Sequence, residues 1–188
     1  MHSNPWKRHR RSVVYENPWI VVNHDEVQQP DGKPGIYGVV HYKHLAVGVV
    51  ALDADDRVCL VGQYRYSLDL YSWEIPEGGG ALHESPQEAA ARELREETGF
   101  AARKWTKIGT AHLSNSVSDE VAHYFVAEDL EAGESQPEGT EKLQVRWVPF
   151  DDAVRMVMEG EITDSISVMA LLHVAAIRRA RGAAGLTA

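Results

Sequence analysis

The chain predicts an α+β fold, and three observations carry that prediction. β-rich runs separated by turn signals fill most of the chain before residue 150. One well-capped helix interrupts them just past residue 85. Two further helices close the chain. Strands and helices segregated along a sequence in this way favour a layered α+β fold over a doubly wound sheet. With 188 residues, 44% of them hydrophobic, there is enough material for one domain with a real core and a small N-terminal extension.

Taken in order, the first element is not regular. Lys7, Arg8, Arg10 and Arg11 make a basic cluster that reads as a frayed arm. No hydrophobic stretch follows it, so a secretory signal is not expected. Residues 19–27 read as a strand, residues 29–35 as a Pro/Gly turn, and residues 36–42 as the hairpin partner. Residues 44–52 and 57–66 are two β-rich runs joined by the acidic turn 53–56. Residues 71–75 form a short strand that ends at Pro76. Strands are expected at 104–112, 120–127 and 143–148. The closing helices run from 151 to 158, stopped by Gly160, and from 164 to 179, with Ile166, Met169, Ala170, Leu172, His173 and Ala176 near one face.

Composition excludes several classes. No apolar run is long enough to span a membrane. A net charge of -9 argues against nucleic-acid binding by bulk electrostatics. Cys59 is the single cysteine, inside the apolar run 58–61, so neither a disulfide framework nor a Cys-rich zinc site can form within one chain. It reads as a buried core thiol, and the expected compartment is the reducing cytoplasm.

The mid-chain helix carries the chemistry. Ser85 followed by Glu88 is a capping box, with Pro86 at the first helical position and Gly99 as the C-terminal stop. The run 87–98 is rich in Ala, Leu, Glu and Arg. On it Glu93 lies three residues from Glu96 and four from Glu97, so these carboxylates share a face. Like charges at that spacing destabilise a helix by a few tenths of a kcal/mol per pair, and a bound divalent cation reverses the sign. A lone Glu-rich helix is ordinarily a solvated face. The surrounding spacing overturns that reading: Gly78, five residues, Glu84, seven residues, then Arg92-Glu93-Leu94-x-Glu96-Glu97-x-Gly99-Phe100.

That pattern resembles the Nudix box in every defined position. The resemblance implies an α/β/α sandwich around a mixed sheet, covering residues 45–188, with residues 1–44 as N-terminal strands. It implies a loop–helix–loop that binds Mg²⁺ or Mn²⁺ and hydrolyses a nucleoside diphosphate linked to another group. The lead-in Gln63-Tyr64-Arg65 and Trp73-Glu74-Ile75-Pro76-Glu77-Gly78 resembles the ADP-ribose pyrophosphatase branch, which acts on nucleoside diphosphate sugars. In that branch the N-terminal strands cross to a partner subunit, so a homodimer is expected.

The expected metal ligands are Glu93, Glu96 and Glu97, with the carbonyl of Glu77 added by the resemblance. Glu84 either joins them or pairs with Arg92, which is expected to hold the carboxylates in place. Gly78, Gly79 and Gly80 let the backbone approach closely, while Leu94 and Phe100 belong to the core. Arg65 is expected at a substrate phosphate, with Glu74 a weaker candidate. Trp19 and Tyr37 are candidates for stacking on the nucleobase, or else core or dimer-interface residues. The general base is expected in the loop 136–142, with Glu141 first, Glu138 second and the helix residue Glu96 after them.

One stretch departs from the branch. It usually carries a proline in the loop corresponding to residues 113–120, where this chain has Asn115 and Ser116; Glu120 still matches the acid that ends the loop. The hydrolase class survives that departure, but the sugar is left open. Rival readings are a nucleoside triphosphatase or dinucleotide hydrolase, and a ligand-sensing regulator that has lost catalysis. The Trp73-Glu74-Ile75-Pro76 lead-in and the N-terminal strands argue against the first, and the intact box against the second.

Overall fold

The structure is a computed structural model that describes residues 3–133 and 143–182. The strands are β1 (Lys7–Glu16), β2 (Ile20–Gln28), β3 (Pro34–Tyr42), β4 (His44–Ala51), β5 (Arg57–Arg65), β6 (Leu70–Glu74), β7 (Glu77–Ala81), β8 (Phe100–His112), β9 (Val121–Ala132) and β10 (Gln144–Pro149). The helices are α1 (Pro86–Thr98), α2 (Phe150–Glu159) and α3 (Ser165–Arg181). The sheets have the orders β1-β2-β3, β10-β5-β6 and β7-β4-β9-β8. The last of these is mixed, because β4 runs parallel to β9 and antiparallel to β7.

Alternation along β4 explains the layering. Val47, Val49 and Ala51 face a cluster that includes Ala89, Ala90 and Leu94 of α1. Val50 and the adjoining Leu52 face a second cluster, with Phe150, Ala153 and Met156 of α2 and Ala170, Leu171 and Val174 of α3. A strand covered on both faces has no polar side to keep, so residues 44–52 read as a continuous apolar run. The result is an α/β/α sandwich of the α+β class. Cys59 is buried on the α1 side, and burial, with the Glu97 charge second, pushes its thiol up to about 12.

Three expectations need correction. The basic N-terminus is a ten-residue strand, β1, rather than a frayed arm. Cross-strand charge pairs hold it: Arg11 donates two hydrogen bonds of 2.7 Å to Asp25 of β2, and Arg10 pairs with Glu26. Gly78–Gly80 are not loop but most of β7, paired with β4. Their missing side chains let α1 lie directly on the strand. A Cβ on Gly78 would come within 2.6 Å of all three atoms of the Glu93 carboxyl group, and one on Gly80 would meet Ala89 at 2.7 Å. The β8–β9 ladder also extends past the expected ends, through pairs such as Lys104–Glu128 at 2.9 Å.

The N-terminal sheet docks on the loop 113–119. Tyr37 donates to the Ser116 carbonyl at 2.6 Å, and the amides of Val40 and Asp119 each bond across to Val117 and Val40. Asp119 accepts from the Tyr42 amide at 2.9 Å and meets His41 at 2.5 Å.

Candidate active site

Helix α1 is set by its ends. Ser85 and Glu88 form a reciprocal capping box, with bonds of 3.3 and 3.0 Å, and Gly99 closes the helix at φ 77. The helix therefore starts and stops where its acids need it to. Arg92 gathers them. Its guanidinium donates to Glu93 at 2.8 Å, Glu96 at 2.9 Å, the Gly79 carbonyl at 2.7 Å and Glu84 at 3.3 Å. Burial works against that cation, but the carboxylates outweigh it and hold its pKa above the ordinary value. Of the two roles left open for Glu84, the structure displays the pair with Arg92.

Glu97 lies deepest of the helix acids. It is 3% exposed and accepts the Glu77 amide hydrogen at 3.0 Å. That bond ties the inner end of the acidic face to the start of β7. Glu93, Glu96 and Glu97 carry the oxygen chemistry that suits a hard divalent cation, while the three carboxylates that lie close enough to share one ion among the described residues are those of Glu74, Glu77 and Asp164. The cradle fits as well, because Gly78 leaves for the Glu93 carboxylate the space a side chain would fill.

A second acidic nest faces the same cleft. Arg65, at the end of β5, forks to both oxygens of Glu74 and also donates to Glu77 at 2.8 Å. The carboxylates of Glu74, Glu77 and Asp164 bring one oxygen each within 4.8 Å of one another. Glu77 Oε2 is buried with no hydrogen-bond partner. Burial, with Asp164 and Glu74 next, pushes the Glu77 carboxyl well above its usual range, and Arg65 only partly offsets this. The Glu77 side chain itself turns toward Arg65 and Asp164.

The two nests line one cleft of about 890 Å³. Trp19, 65% exposed, reaches its wall from the N-terminal segment, and Glu120 lines it beside Tyr42. Burial raises the Glu120 carboxyl while a bond from the Tyr42 hydroxyl works the other way. Tyr37 is not in the wall: its hydroxyl braces Ser116 and its ring meets Trp6 edge-on at 5.4 Å. Glu138 and Glu141 lie outside the described residues. The structure thus brings Arg65, Trp19, Glu77, Glu93, Glu96 and Glu120 to one cleft, with Glu97 just beneath it.

Residues 42–169 match the family model of the NUDIX domain. The chain belongs to the Nudix family. Residues 6–40 match the nucleoside diphosphate sugar hydrolase N-terminal domain. Among curated Nudix relatives, an ADP-ribose pyrophosphatase of Bacillus subtilis (strain 168) is 34% identical over 87% of this chain and 89% of its own. An ADP-ribose pyrophosphatase of Mycobacterium tuberculosis (strain ATCC 25618 / H37Rv) is also 34% identical, over 84% of this chain and 77% of its own. Among solved structures, an ADP compounds hydrolase superposes with a TM-score of 0.87 at 22% identity, covering 98% of this chain and all of that one. No helix among the described residues of this Nudix chain is long and apolar enough to cross a membrane.

Asp164 is the cleft residue that sequence reasoning passed over. The sequence pattern marks it as the start of a helix, and it does cap α3, accepting from the Ser167 amide at 2.8 Å. Nothing in its neighbourhood along the chain announces Glu77, which is 87 positions away. The one available signal was that a capping Asp has a second oxygen to place.

Proposed function

We propose that the chain hydrolyses the diphosphate bond of ADP-ribose or a related nucleoside diphosphate sugar, with Mg²⁺ (or Mn²⁺), giving a nucleoside monophosphate and a sugar phosphate. The observation that carries this reading is the acidic face of α1 opening, over a glycine strand, into a cleft of about 890 Å³ that Trp19 also lines. The names of the relatives support the substrate class, and Asn115 and Ser116 leave the preferred sugar to experiment.

Glu93, Glu96 and Glu97 would hold the cation, together with the Glu77 carbonyl. When bound, the cation supplies charge neutralisation at the diphosphate and Lewis-acid activation of water. Arg92 keeps Glu93 and Glu96 oriented toward the cleft. Arg65 keeps a positive charge in the wall for the phosphates, and Trp19 offers a ring for the base. Tyr37 acts through the loop 113–119 instead. Glu120 is the acceptor for a sugar hydroxyl. Water attacks one phosphorus, the bridging oxygen leaves with its electron pair, and a carboxylate takes the proton. We assign that proton to Glu141, with Glu138 and then Glu96 as successors.

A turnover panel of ADP-ribose, other nucleotide sugars, NADH and diadenosine polyphosphates, each with and without Mg²⁺, tests the reading. Metal-dependent release of AMP from ADP-ribose is expected; turnover of the dinucleotides alone would overturn the substrate class. Glu141→Gln should lower kcat strongly with KM little changed and flatten the acidic limb of the pH profile. A larger loss in Glu138→Gln would reverse the two roles.

We also propose a homodimer, with residues 1–44 as its dimerisation and nucleobase-binding part and 45–188 as the hydrolase domain, working in the cytoplasm. Val13, Val14, Tyr15 and Ile36 leave apolar surface exposed on the N-terminal strands. A sedimentation coefficient of a monomer for the active chain would remove this proposal.

A further inference from the structure

We propose that Asp164, the N-cap of α3, and Ser167, in its first turn, are positioning residues for the cation site, acting through the backbone of residues 75–77. The proposal rests on the reading of Glu93, Glu96 and Glu97 as metal ligands. It begins where the chain changes sheets. β6 ends at Glu74 and belongs with β5, whereas β7 starts at Glu77 and pairs with β4. Ile75 and Pro76 make the crossing. Pro76 has no amide hydrogen to give, and its carbonyl accepts from Val49 at 2.8 Å. The Ile75 amide hydrogen has left the β6 ladder, and it goes to Ser167 Oγ at 2.9 Å. Both Ile75 and Ser167 are 0% exposed.

Two residues further on, the Glu77 amide donates to Glu97 Oε2. The path is therefore short: Ser167 holds Ile75, the rigid Ile75–Pro76 step sets the Glu77 amide, and that amide aims the Glu97 carboxylate. Asp164 sets the start of the path. One of its oxygens accepts from the Ser167 amide at 2.8 Å, fixing the turn from which the hydroxyl reaches out. Its carboxylate also stands with Glu74 and Glu77 across the cleft wall. Neither residue belongs to the box, and they come from the opposite helical layer to α1.

A merely structural role predicts something different. A buried serine that satisfies a stray amide would lower the melting temperature when lost, and the folded remainder would bind metal as before. The test therefore reads metal binding directly. Free Mn²⁺ is followed by its electron paramagnetic resonance signal during titration of the full chain and of Ser167→Ala, Asp164→Ala and Asp164→Asn, at a temperature where each is folded by circular dichroism. Ser167→Ala and Asp164→Ala should each weaken Mn²⁺ binding about tenfold. Asp164→Asn should stay within about twofold of the parent, because an asparagine side chain caps a helix as well as an aspartate does. The Asp164 pair decides the question if Ser167→Ala does not fold. Parent-like affinity in both alanine variants overturns the positioning role while leaving the metal reading intact. Equal loss in Asp164→Asn and Asp164→Ala would overturn the route through the cap. A parent chain that takes up no Mn²⁺ sinks the metal reading and the positioning role together.

Discussion

Two nests of similar composition line the same cleft. In each, one arginine gathers acids: Arg92 with Glu84, Glu93 and Glu96, and Arg65 with Glu74, Glu77 and, nearby, Asp164. The guanidinium groups are alike, with side chains 31% and 34% exposed. Their acids are not. Glu96 keeps 30% of its side chain exposed, whereas Glu74 keeps 3%. The first nest can give its negative charge to a cation from solution. The second is more deeply buried, and Arg65 gives two nitrogens to Glu74 and Glu77.

The largest effect should come from breaking the acidic face of α1 at its buried end. Glu97→Gln keeps an oxygen that can accept from the Glu77 amide, so packing and circular dichroism should be unchanged. It loses an anionic ligand, and kcat should fall by about two orders of magnitude or more, the scale for one electrostatic stabiliser. Near-normal kcat at saturating Mg²⁺ would remove Glu97 from the ligand set.

The comparison also separates what a sequence displays from what it hides. Most of the first nest lies within six consecutive residues, and helical spacing alone puts Glu93, Glu96 and Glu97 on one face. Its glycines were legible as a close approach, though not as a strand, because glycine has low strand propensity and β7 forms only when β4 is there to pair. The second nest joins β5, β6, β7 and the cap of α3. No local spacing encodes it. Arg65 and Glu74 were visible as candidates one at a time, and their mutual fork was not. The layered fold was readable from the segregation of strands and helices along the chain; the strand β1 was not, because its signal is a set of charges whose partners lie on β2.

A pair of substitutions tests whether the nests differ as argued. Arg65→Met leaves Glu74 and Glu77 buried without their counterion, and breaking such a pair costs about 3 kcal/mol. For a chain of this size that lowers Tm by roughly 6–12 °C. Mg²⁺ should not restore it. Arg92→Met leaves more exposed acids, so the loss should stay near 1 kcal/mol, and millimolar Mg²⁺ should recover most of it. Differential scanning fluorimetry with and without Mg²⁺ reads both variants. Equal melts, or equal rescue, would mean that burial does not distinguish the two nests.

The smallest effect belongs to a fork with no place in the cleft, which serves as the reference for both. Arg11 and Asp25 make the same two-toothed contact between β1 and β2, and Asp25 is 4% exposed. The hydrogen bonds from Arg11 are the main cause holding the Asp25 carboxyl below its ordinary value, against burial. A carboxyl depressed in the folded state adds stability that is fully present above its unfolded pKa of 3.8 and is lost as pH falls through the folded value. Because Arg11 is partly solvated, its contribution should be about 1 kcal/mol at neutral pH. Arg11→Met should therefore melt slightly below the parent at pH 7, with the gap closing as pH drops below 3.8. Its kcat and its Mg²⁺ dependence should be unchanged at pH 7. A change in metal dependence would mean that the N-terminal sheet reaches the acidic face of α1 through the loop 113–119, and that the two nests cannot be treated as separate from it.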